Sequence, residues 1–130
     1  MKRFAIVVLA SGLVSAIALF DMPAVQAEDA KCGEKGQPSC PLQGWMEKHM
    51  QEPFDNKDLK QVAASLETAA GFAPDPTWND GATGWSKLAK DGAAAAKAGD
   101  LEAVQQSCKS CHKAWRNKYK KEHRTRPVKG

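Results

Sequence analysis

Strand-forming sequence is what this chain lacks. Past residue 27 the β-branched residues are scarce and never alternate with polar ones, which excludes a sheet protein. Proline is missing between Pro76 and Pro127, so nothing in that span blocks a helix. Cysteine is sparse as well: four residues beside an Ala- and Leu-rich body do not make a disulfide scaffold. No paired carboxylates, activated serine or second metal set can be placed, so an enzyme is not expected. Of the three histidines, His123 falls in a basic tail and reads as solvent-exposed, leaving His49 and His112 for chemistry.

The start of the chain addresses it for export. Lys2 and Arg3 precede an uncharged apolar run from Phe4 to Phe20, and small residues at Val25 and Ala27 fit a signal-peptidase site. An uncleaved membrane anchor is the alternative; Asp21, Pro23 and the small-residue ending favour cleavage after Ala27. The expectation is therefore a signal peptide over 1–27, a periplasmic protein, and no stable membrane insertion after cleavage. Removing 27 of 130 residues leaves 103, enough for one domain. The formal charge falls from +4 to +3, because the leader carries Lys2, Arg3 and Asp21. Lys113 to Gly130 holds eight Lys/Arg against Glu122, a net +7, so Glu28 to His112 is −4. A basic tail on an acidic body could dock an acidic partner, although a solvated helix end is the commoner meaning of a charge run. Nucleic acid is not an expected partner of an exported protein.

Glu28 to Pro41 is polar, with Gly33, Gly36, Pro38 and Pro41, and reads as an irregular lead-in over 28–41. Four helical segments follow over 42–122, with a basic tail at 123–130. The first runs from Pro41 or Leu42 to about Gln51, with Leu42, Trp45, Met46, His49 and Met50 on one face and Pro53 ending it. The second, about Lys57 to Gly71, stripes Leu59, Val62, Ala63, Leu66 and Ala70. The third begins at Gly81 or Thr83, turns Trp85, Leu88, Ala89, Ala93 and Ala96 inward, and closes at Gly99. Asp100 caps the fourth, whose inward positions are Leu101, Val104, Cys108, Cys111, Trp115 and Tyr119. Short connections make neighbours antiparallel, so the expected fold is all-α, an up-down four-helix bundle. Its core is thin for its length, and a large buried prosthetic group would help fill it.

The chemistry concentrates in "CKSCH", residues 108–112. A thioredoxin-type pair needs a strand-helix context and a thiol at a helix start; Cys108 falls two turns into a helix instead. A four-cysteine zinc site would need Cys32 and Cys40, whose spacing is too wide for a common zinc knuckle. Covalent haem accounts for every residue. Two thiols with two residues between them match the spacing of the haem vinyl groups, and positions 108, 111 and 112 share one helix face. His112 then reaches the iron from one side. Haem is attached outside the cytoplasm in bacteria, which agrees with the leader. With Cys108 and Cys111 consumed as thioethers, Cys32 and Cys40 are left to each other. Their nine-residue loop can close as a disulfide in an oxidising compartment.

The position of the motif near the C-terminus, on the last helix, resembles the class II c-type cytochromes: cytochrome c-prime and its low-spin, methionine-ligated relatives. "CKSCHKAWR", with Trp115 and Arg116 three and four places after the histidine, is similar to their pattern. The resemblance spans about Leu42 to Tyr119 and is motif-specific from Asp100 to Arg116. It implies a bundle enclosing one covalently attached haem c, as monomer or homodimer, that passes single electrons between redox partner proteins. It also implies that the first helix supplies the distal iron ligand, Met46 ahead of Met50 and His49. Methionine opposite His112 makes an electron shuttle; an iron held by His112 alone would be a gas-binding protein taking nitric oxide or carbon monoxide.

Overall fold

The computed structural model describes residues 31–129; the expected signal peptide lies outside them. Among the described residues there is no strand, and four helical segments follow one another as the apolar periodicity requires. A first arm is built from α1 (Pro41–Met46), a π-helical turn (Glu47–Gln51) and α2 (Glu52–Asp55). Then come α3 (Leu59–Ala69), a 3-10 turn (Pro76–Asn79), α4 (Trp85–Lys97) and a last arm. The last arm joins α5 (Leu101–Cys111), a second π turn (His112–Arg116) and α6 (Asn117–Glu122).

The ends of these helices are set by local chemistry. Gly99 adopts φ +75° after α4, which lets its N–H donate to Ala96 O (3.1 Å) and the next N–H, of Asp100, to Ala95 O (3.0 Å). That pair of bonds satisfies the last carbonyls of α4. Asp100 then turns the chain over, its Oδ1 accepting from the Ala103 N–H at 2.9 Å to cap α5. The same device recurs after α2. Lys57, at φ +56°, donates to Phe54 O, Asp58 N–H donates to Pro53 O, and Asp58 caps α3 through the Gln61 N–H at 3.0 Å.

Two boundaries and one inward position differ from the sequence expectation. Pro53 does not end the first helix, which continues to Asp55. Proline carries no N–H and its ring would strike the carbonyl four residues back. The chain accommodates it by widening the preceding turn, where the Glu52 N–H reaches back five residues to Glu47 O. α4 starts at Trp85 rather than Gly81 or Thr83, because Asn79 caps it from outside, its Oδ1 accepting from Ser86 N–H at 3.0 Å. Gly84 sits so close to this capping turn that a Cβ there would collide with Asn79 O. Leu101, expected inward, is 38% exposed on the first turn of α5.

The core is two apolar clusters. One gathers Leu42, Trp45, Ala69, Phe72, Trp78, Trp85 and Tyr119; the other gathers Val62, Ala63, Leu66, Ala93, Ala96 and Val104. α3 packs on α4 and α4 on α5, while the first arm rests on α3 through its π turn and α2. Small residues let α4 and α5 approach closely: a Cβ on Gly92 would meet Ser107 Oγ at 2.7 Å and Leu66 Cδ1 at 3.1 Å. Ser107 Oγ donates in turn to Leu88 O at 2.7 Å, locking the register of the two helices. Trp78, from a segment that reads as loop, is only 3% exposed and stacks on Trp115, centroids 4.6 Å apart.

The tail and lead-in are also tied down. Cys32 and Cys40 form a disulfide, Cα atoms 4.9 Å apart, with Cys40 buried at the N-cap of α1. Arg124 donates to Cys32 O and faces Glu34 at 3.5 Å, and Arg126 Nη1 donates to Phe72 O at 2.9 Å. The tail reading is corrected accordingly: these two arginines bind the protein itself. His123 is half-buried, 5.5 Å from the Trp78 ring, instead of solvent-exposed.

Two stability changes follow. Gly92→Ala is expected to lower the urea midpoint, because overpacking at about 1–3 kcal/mol outweighs a helix-propensity gain of about 1 kcal/mol. Replacing Cys32 and Cys40 together by alanine should cost about 2–3 kcal/mol in the same measurement, the value for closing a loop of this size in the unfolded chain.

Candidate functional site

Cys108 and Cys111 occupy the last turn of α5, and His112 opens the π turn that follows. Their helix turns Val104 and Tyr119 into the core on either side of the motif. Both thiols are free and half-buried, and Cys108 packs against the second apolar cluster. Trp115, one turn further, packs against the first cluster and donates its Nε1–H to Thr83 O at 2.8 Å. The motif therefore straddles the seam between the two clusters.

The electrostatics separate the chemical readings. Burial pushes the Cys108 thiol up, and burial followed by the neighbouring Cys108 pushes Cys111 up to about 11. A dithiol redox centre works in the opposite way, with a thiolate stabilised by a helix start or nearby cation. The four-cysteine zinc alternative fails for a different reason: Cys32 and Cys40 are bonded to each other and cannot act as thiolate ligands. His112 is exposed at the surface, yet partial desolvation and then Arg116 lower its pKa, which favours the neutral imidazole that a metal binds.

The three residues expected to offer a distal ligand lie on the first arm, which packs on α3. Met46 ends α1 and packs against the first cluster. Met50, inside the π turn, packs against both clusters, including the one that Cys108 touches. His49 lies with its ring stacked on Trp45, centroids 5.0 Å apart and planes at 26°. The structure thus brings Met50 and Cys108 to one cluster, sets Met46 on the Trp115 side, and engages the face of His49 with Trp45.

Haem c suits this donor set. Two free, half-buried thiols and an imidazole lie in sequence on one arm, and soft thioethers lie on the other. Trp45 Nε1 is buried in the first cluster without a hydrogen-bond partner, where a carboxylate-bearing group would supply an acceptor. Among the described residues no cluster of three His, Cys, Asp or Glu side chains is placed to hold a metal ion by itself. An open groove of about 360 Å³ between α3 and α4, lined by Lys60, Ala63, Ala64, Glu67, Ala96 and Lys97, contains none of these residues.

Sequence periodicity did not indicate the two π turns, although π turns are rare and gather at functional sites. Pro53 could have signalled the first; no residue marks the second. Trp78 was equally hidden, because Pro74-Asp75-Pro76 reads as a loop.

The raised thiol pKa values can be checked on haem-free chain made in the cytoplasm without residues 1–27. At pH 8 Cys111 should be alkylated about a hundredfold more slowly than free cysteine, the rate rising toward an inflection near 11 rather than about 8.5. Rapid labelling at pH 7 would show instead a poised thiolate. Compared with protein-family models, with curated proteins and with solved structures, the chain matches none.

Proposed function

We propose that this chain is an exported c-type cytochrome carrying one haem c, and that it transfers single electrons between redox partner proteins in the periplasm. The observation that carries the reading is the state of the cysteines. Cys108 and Cys111 are free and half-buried on one helix turn with His112 beside them, while the other two cysteines are bonded together. In this reading the four helical segments close as an antiparallel up-down bundle around the group. No catalytic activity is proposed.

Cys108 and Cys111 would hold the group covalently, each thiol placing its sulfur on one vinyl carbon and its hydrogen on the other, so that nothing would be released. His112 would supply a neutral ring nitrogen to the iron, since partial desolvation and Arg116 disfavour its protonated form. A methionine of the first arm would supply a further ligand to the iron. Met46 was expected first from the sequence; the place of Met50 between both clusters favours Met50 over it. When bound, haem supplies an iron that takes up and releases one electron. A methionine thioether together with a histidine would give the iron a higher potential than two histidines.

Optical spectra of the oxidised and reduced holoprotein, with and without carbon monoxide, test this. The expected result is a low-spin spectrum unmoved by the gas. Met50→Ala should turn it high-spin, open it to carbon monoxide and lower the midpoint potential, whereas Met46→Ala should leave it low-spin. A wild-type spectrum that is high-spin and shifts with carbon monoxide would make the protein a cytochrome c-prime-like gas binder. Purification without covalent haem, from a host able to attach it, would sink the central reading.

A further inference from the structure

We infer that the outer side of the last arm, formed by Lys109, Lys113, Arg116, Lys120 and Lys121, is a docking face for an acidic protein surface. The partner class deepens the electron-carrier reading and rests on it; the face itself rests on the charges.

No Asp or Glu occurs between Glu102 and Glu122. Over 101–122 the arm carries six Lys/Arg against two acids, whereas Lys31 to Asp100 carries eight against ten. The positive charge is therefore local to the arm that holds the motif. All five cations are exposed, and none takes part in the three ion pairs found among the described residues. Lys109 has only the neutral Gln105 side chain as a polar neighbour, at 3.5 Å. The remaining cation of the arm, Lys118, is otherwise engaged, 4.6 Å above the Trp78 ring. Arg124 and Arg126, the tail residues that sequence reading had grouped with these, are bonded to backbone carbonyls.

Five unpaired cations within thirteen positions (109 to 121) hold a field that neighbouring acids would otherwise cancel. Such a field raises encounter rates with an oppositely charged surface about 10- to 1000-fold at low salt. Electron transfer gains from docking beside the attached group, and these residues interleave with Cys111 and His112. A membrane surface fits less well. An interfacial helix needs an exposed apolar side, but Val104 and Tyr119 bury that side of this arm.

The test compares wild type with K109E/K113E/K120E/K121E and with a control of equal charge change elsewhere, K31E/K35E/K57E/K60E. Binding of the holoprotein to poly-L-glutamate is measured at rising salt, beside its oxidation rate by hexacyanoferrate(III). The face variant should lose about tenfold or more in both affinity and rate at low salt, the control much less, with helical circular dichroism unchanged in both. Equal losses in the two variants would mean net charge alone acts and would overturn the proposal. So would tighter binding to phosphatidylcholine vesicles containing about one-third phosphatidylglycerol than to poly-L-glutamate. If haem proves absent, the polyglutamate measurement still decides the face, so failure of the cofactor reading and failure of the face are told apart.

Discussion

The close approach of α4 and α5 at Gly92 and Ser107 is the contact on which the site depends. Gly92 leaves room for the Ser107 side chain, and Ser107 Oγ bonds Leu88 O on the facing helix. That bond fixes the rotation of α5 at the residue before Cys108. One position of slip would carry a side chain about 100° round the helix and turn the thiols away from the cluster that Cys108 now touches. Packing precision at a glycine thus sets the aim of the motif, although neither Gly92 nor Ser107 has any chemistry of its own.

Around that contact the chain uses inexpensive local devices to keep the helices in order. Lys57–Asp58 and Gly99–Asp100 end one helix in a left-handed residue and begin the next with an aspartate cap. The second device accepts φ +75° with glycine, while the first holds a lysine at φ +56° against the usual cost of a Cβ there. Both ends of the described chain are then gathered onto the first cluster. Arg126 reaches the Phe72 carbonyl, and Arg124 joins the disulfide loop that sits on the N-terminus of α1. Both arginines of the tail are thereby engaged by the rest of the chain.

Much of the fold was legible because helices report themselves through short-range pattern. The aspartate caps, Gly99 and the inward stripes at Val62, Leu66, Ala93 and Val104 all depend on residues within one or two turns. The misreadings share another cause. Trp78 is core because it stacks on Trp115, thirty-seven positions away, and α4 begins late because Asn79 caps it across the 3-10 turn. Pro53 was read as a stop by its own propensity, and a wider turn absorbed it.

The amino-acid sequence by itself determined the all-helical class, the disulfide pairing of Cys32 with Cys40, and a motif whose two thiols and imidazole share a helix turn. These follow from spacing along one chain, where 3.6-residue periodicity and covalent reach do the selecting. Only the tertiary structure decided that Met50 and Cys108 flank the same cluster, that His49 stacks on Trp45, and which cations remain unpaired. Those outcomes depend on how separate helices rotate against each other, and side-chain volumes at Gly92, Ser107 and Leu66 set that rotation.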